Sequence, residues 1–125
     1  MHIERFTVDL TTDGSGNATG YTPVLTGRVL ALHYVKDGSN AFSDGVDFAV
    51  TAEATGETIW AENDVNATAH RYPRAATHNA DGTAALYAAD GQAVNEAVAL
   101  ASDRVQIAVS SGGAAKAGKV LVVIG

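Results

Sequence analysis

Apolar residues fall at every second position through Val46-Asp47-Phe48-Ala49-Val50-Thr51-Ala52-Glu53, the period of a strand with one face buried and the other in water. The pattern predicts that Val46, Phe48 and Val50 face a core. The same alternation runs through Phe6-Thr7-Val8-Asp9-Leu10 and ends at Asp13-Gly14-Ser15-Gly16-Asn17, whose glycines and Asn tolerate positive φ, so a strand and a hairpin loop are expected. Arg28-Val29-Leu30-Ala31-Leu32-His33-Tyr34-Val35 is apolar on nearly both faces, as a central strand is, and Lys36-Asp37-Gly38 reads as the turn that ends it.

Glu57-Thr58-Ile59-Trp60-Ala61-Glu62 alternates as well, with Ile59 and Ala61 on one face and Thr58, Trp60 and Glu62 on the other. Trp60 is then either a core residue at a sheet edge or an exposed contact. Towards the end of the sequence, Val105, Ile107 and Val109 alternate with Arg104, Gln106 and Ala108, and Val120 to Ile124 forms a last apolar strand. Over 81–100 the pattern weakens: Thr83 to Ala89 holds good helix formers in a window too short for a stable helix, and a helical turn or a loop is expected. About seven to eight short antiparallel strands linked by frequent turns indicate an all-β domain, a β-sandwich or small barrel, because a lone sheet would leave an apolar face wet. The 125 residues suit one core and no second domain.

Composition narrows what such a domain can do. Hydrophobic residues make up 46% and charged residues 18%, so the surface carries less charge than usual and part of it is expected to meet something other than water. Eight Lys and Arg against fourteen Asp and Glu give a net charge of −6, which opposes binding to phosphate backbones; nucleic acid is not an expected partner. The sequence holds no cysteine, which excludes disulfides, thiolate nucleophiles and Cys-based metal sites. The start, MHIERFTVDLTT, carries charge where a signal peptide needs an apolar run, and no stretch approaches the roughly 20 apolar residues of a membrane span. Synthesis in a cytosol without export by that route is expected, and no membrane partner.

Motifs of chemistry are near misses. Gly113-Ala114-Ala115-Lys116-Ala117-Gly118-Lys119-Val120 resembles a phosphate-binding P-loop, but Val120 stands where a Ser or Thr must bind magnesium, and a β-branched run follows instead of a helix. It reads as a Gly-rich hairpin turn with two solvated lysines. Asp13, Ser15 and Asn17 alternate like the start of a calcium loop, without the turn glycine and with Val24 where the bidentate Glu belongs. Asn17-Ala18-Thr19 and Asn66-Ala67-Thr68 match the glycosylation pattern but carry no weight without a secretion signal. His2, His33, His70 and His78 show no familiar ligand spacing, although folding could bring His70 and His78 together. Glu53, Glu57, Glu62 and Asp64 read as a solvated strand face, and Ser110-Ser111 lacks a nucleophile elbow. No enzyme, cofactor or metal is expected from these residues.

The most interface-like stretch is His70-Arg71-Tyr72-Pro73-Arg74, since Tyr and Arg supply binding energy with little loss of entropy and Pro73 holds the chain extended. The alternative is an ordinary connection whose Tyr72 caps the core. With Trp60 and Tyr87, these residues form the expected protein interface.

The order of segments resembles that of small virion proteins encoded among the head genes of tailed bacteriophages. The likeness rests on Gly27 to Tyr34, Asp47 to Ile59, Asn63-Asp64-Val65-Asn66-Ala67-Thr68, Tyr72 to His78, Asp81-Gly82, Leu86-Tyr87-Ala88, Gly112-Gly113 and Lys116 to Val120, and spans the sequence from about Asp9 onward. The resemblance implies a structural role in the virion, with no catalytic residues to transfer. Within that role it implies a decoration or cement protein on the outside of the capsid, bridging major capsid subunits and associating with its own copies as a trimer. The alternative is a tail or head-fibre component that binds a host glycan or receptor through Trp60, Tyr72 or Tyr87.

Overall fold

A computed structural model, which describes residues 2–89 and 91–125, is all-β, with eleven strands and no helix among the described residues. The strands are β1 (Glu4–Thr11), β2 (Ala18–Tyr21), β3 (Leu25–Lys36), β4 (Asp47–Ala52), β5 (Thr58–Glu62), β6 (Ala69–Arg71), β7 (Ala75–Ala76), β8 (Asn95–Glu96), β9 (Val98–Asp103), β10 (Val105–Ser110) and β11 (Ala117–Ile124). One sheet runs β1-β11-β3-β6, with β9 also paired to β3, and the other runs β2-β10-β4-β5. The pairs within both sheets are antiparallel. The two sheets enclose one apolar core, so the fold is a β-sandwich.

Strand β3 is central because both of its edges are used. β11 follows it along one side, while β9 pairs with its first half and β6 with its second. A bulge at Leu30, between the pairs Val29–Ile124 and Ala31–Val123, bends the strand where its partner changes. Alternation then places Val29, Leu32 and Tyr34 inward, against Val120, Val122 and Ile124 of β11. From the facing sheet come Phe48 and Val50, and Val105, Ile107 and Val109. Each side chain buried to this degree contributes about 1.5–3 kcal/mol relative to exposure.

Aromatic rings fill one end of the core. Phe48 lies 4.7 Å from Tyr34 and 5.4 Å from Trp60 between ring centroids, and Phe42 stacks on Tyr34 at 6.0 Å. Room for them comes from Gly118: a Cβ there would stand 2.6 Å from Phe42 Cε2 and 3.1 Å from Tyr34 Cε1. The glycine of the would-be P-loop therefore serves packing.

The predicted inward set Val46, Phe48 and Val50 is buried, and the alternations at 6–10, 105–109 and 120–124 fall in β1, β10 and β11. Three expectations are corrected. The strands number eleven, more than seven to eight, because β2, β6, β7 and β8 have four residues or fewer and offer no period to read. Ile59 and Ala61 do not share a face. A bulge in β5 makes Ile59 the extra residue between the pairs Val50–Trp60 and Thr51–Thr58, which turns Ile59 and Trp60 both to the core while Ala61 opposes Ala49 outside.

The connections at 12–17 and 111–116 are arches between sheets and not hairpins, since β1 and β11 lie in one sheet and β2 and β10 in the other. Alternation sets which face of a strand is buried, but not whether the next strand pairs beside it or packs over it. Over 83–89 the loop forms, of the two expected alternatives, and not the helical turn. Gly82, at φ +90°, donates to Asn79 and reverses the chain, and three extended stretches then bond to one another: Ala85 N–H to Thr77 C=O at 2.8 Å, Val94 to Ala85 at 2.9 Å and Thr77 to Val94 at 2.7 Å. With the β7–β8 pair they make an arm over 74–97, in which no described residue is buried.

Candidate functional site

The segment His70 to Arg74 lies where the sandwich meets the arm, and the strand period sorts its side chains. β6 pairs Ala69 with Tyr34, His70 with His33 and Arg71 with Leu32. Ala69 is buried, so Arg71 shares its inward side and His70 points out.

Arg71 then reaches the opposite sheet. Its Nε and Nη2 donate to Glu62 Oε1 and Oε2 of β5, both at 2.8 Å, and Trp60 Nε1 donates to the same Oε1 at 3.3 Å. β6 and β5 are edge strands of different sheets, so this two-pronged pair ties the sheets together along one open side. The Arg71 hydrogen bonds, with a smaller contribution from Trp60, hold the Glu62 carboxyl below the usual glutamate range. Arg71 belongs to the fold's own closure, and so does Trp60, which is half-buried and stacked on Phe48.

Pro73 is buried, and its missing N–H suits the end of β6. Arg74 is exposed but anchored: its Nη1 donates to Pro73 C=O at 2.7 Å and to the carbonyl of the bulge residue Leu30 at 3.3 Å. Tyr72 is 62% exposed and does not cap the core; its ring stands edge-on to His33 at 6.3 Å. Tyr87, 77% exposed beside the exposed Leu86, lies on the arm. Of the expected interface residues, His70, Tyr72, Arg74 and Tyr87 therefore present to solvent, and Arg71, Pro73 and Trp60 hold the structure.

The partner that folding brings to His70 is His33, with the two Nδ1 atoms 2.7 Å apart and the rings edge-on. His78 instead bridges Ala84 within the arm. His33 stood in a stretch apolar on nearly both faces, and a cross-strand partner is set by register, which spacing along the chain does not encode.

The near-miss motifs have internal work. Thr12 Oγ1 donates to Gly113 C=O and accepts from Lys116 N–H at 2.8 Å, which spends a backbone amide that a phosphate cradle would need. Asp13 Oδ1 accepts from Ser15 N–H at 2.8 Å and Asn17 N–H at 3.1 Å, and these backbone bonds lower its pKa. Among the described residues no group of three or more His, Cys, Asp or Glu is arranged to hold a metal ion. A depression of about 420 Å³ between β1, β11 and the end of β3 is bordered by Asp9, Lys36, Asp37 and Lys119, charges of both signs. Beside this depression the surface carries a His33–His70–Tyr72 patch on the outer face of one sheet, and an arm with Leu86 and Tyr87. Comparison of the sequence with protein-family models and with curated proteins gives no match.

Proposed function

We propose that this chain is a structural protein of a tailed-phage virion that decorates the outside of the capsid and bridges major capsid subunits. The observation that carries the reading is the arm over 74–97. It has no buried residue among those described, yet presents Leu86 and Tyr87 to solvent. A small strand pair without an apolar face to cover gains little by itself, and exposed aromatic side chains on such an arm suit a partner surface. The resemblance of the segments to head-gene virion proteins supplies the identity of that partner.

Tyr72 and Tyr87 on separate parts of the molecule allow two contacts, one to the shell and one to another copy; a trimer is part of the proposal. The competing role, a fibre component that binds a host glycan, loses one of its three aromatic platforms because Trp60 is stacked on Phe48.

The test mixes purified protein with empty expanded capsids and measures bound copies and the melting temperature of the shell. Stoichiometric binding with a raised shell melting temperature is expected. Absence of binding at micromolar protein would overturn the reading, and a hit on a glycan array together with a few copies per virion would favour the fibre role.

A further inference from the structure

We infer that His33 and His70 form a two-imidazole site for a transition-metal cation of the copper, nickel or zinc type. The two residues are directly opposed on adjacent antiparallel strands, β3 and β6, so backbone pairing sets their spacing. The two Nδ1 atoms face each other 2.7 Å apart, with the ring centroids at 4.8 Å. His70 is exposed and His33 half-buried, so an ion can arrive from solvent.

Without an ion, one neutral ring donates Nδ1–H and the other accepts. Metal–imidazole bonds of about 2.0–2.1 Å place two nitrogens of one ion roughly 2.9–3.4 Å apart, for bond angles between square-planar and tetrahedral. Opening the observed 2.7 Å to that span needs a few tenths of an ångström, together with a tilt of both rings that turns the Nδ1 lone pairs from each other onto the ion. Nδ1 of the donor ring is freed when its proton moves to Nε2, so a neutral pair binds the ion without losing a proton. Two nitrogen ligands leave the remaining positions to water, consistent with the absence of a larger ligand cluster among the described residues. Imidazole nitrogen favours copper, nickel and zinc over magnesium and calcium, with copper tightest. The bound ion would also pin the three-residue edge strand β6 to β3.

The test is calorimetric titration of the folded protein with NiCl2 and ZnCl2, MgCl2 serving as the control, followed by thermal melts with and without the ion. His2 and His78 are the other imidazoles of the sequence, so the double variant H2A/H78A is measured beside the parent. One Ni2+ or Zn2+ per chain is expected, retained in H2A/H78A and weakened at least about tenfold in H33N and in H70N. The melting temperature should rise with the ion in the parent and in H2A/H78A only. No saturable binding at millimolar ion, or binding that disappears in H2A/H78A and persists in H70N, overturns the site. If H33N fails to fold, H70N decides alone, because His70 is exposed on an edge strand.

Discussion

Arg71 and Glu62 face each other across the open side of the sandwich, one on the edge strand of each sheet, and join through two hydrogen bonds of 2.8 Å. Both side chains remain more than a third exposed, so water screens the attraction and the pair is worth only about 0.5–1 kcal/mol. E62Q should therefore lower stability by no more than about that amount at neutral pH, read as a shift in urea midpoint. The dependence on pH follows from the lowered Glu62 carboxyl. A depressed folded pKa gives stability that is present above the ordinary glutamate range and is lost as pH falls through the folded value. The gap between the parent and E62Q should close in strong acid; a gap of constant size from neutral to acid would remove the ion pair as its cause.

Gly118 lies where β11 passes beneath the Phe42 and Tyr34 rings, and an added methyl would stand 2.6 Å from one and 3.1 Å from the other. Both rings pack on Phe48, which is itself stacked on Trp60, so they have little freedom to retreat. G118A should cost about 1–3 kcal/mol, the usual range for overpacking. G38A is the matched control, because a Cβ at Gly38 meets nothing within 4 Å, and its effect should stay within about 0.5 kcal/mol. Equal effects of the two substitutions would mean that the aromatic packing does not set the need for glycine.

Phe48 touches Tyr34, Phe42 and Trp60 at once and is 2% exposed. F48A should destabilise by about 3–5 kcal/mol. F48L, closer in volume, should cost less and still alter the emission of the single tryptophan, since the ring stacked on the indole is gone. An unchanged Trp60 spectrum in folded F48L would contradict the stacking.

The sequence made the core strands legible where alternation is long. Val46, Phe48 and Val50 face inward as their period demands, and β10 and β11 show the same regularity. Ile59 escaped because a bulge inserts one residue and breaks the period inside a five-residue strand. The site was legible in part. His70 and Tyr72 stood out by residue type, yet Arg71 turned out to serve closure, since its partner Glu62 is nine positions away and on the other sheet. His33 gave no signal, because only the register of β3 against β6 places it opposite His70.

The arm over 74–97 should behave differently from the sandwich under proteolysis and mutation. Apart from the bond of Arg74 to Leu30 at its base, its backbone hydrogen bonds run among its own stretches, as from Ala85 to Thr77 and from Val94 to Ala85, and none of its described residues is buried. Local opening there exposes little apolar surface and so needs far less free energy than unfolding the core. Limited proteolysis at neutral pH is expected to cut within the arm while β1 to β6 and β9 to β11 stay protected. L86S and Y87S, at exposed positions, should each change stability by less than about 0.5 kcal/mol. If the arm is the contact that joins this chain to a shell, the same two substitutions should reduce retention on expanded capsids. The sandwich variants G118A and F48L, measured under conditions where they remain folded, should retain binding. Full capsid retention by the L86S/Y87S double variant would move the contact off the arm and onto the outer face around Tyr72.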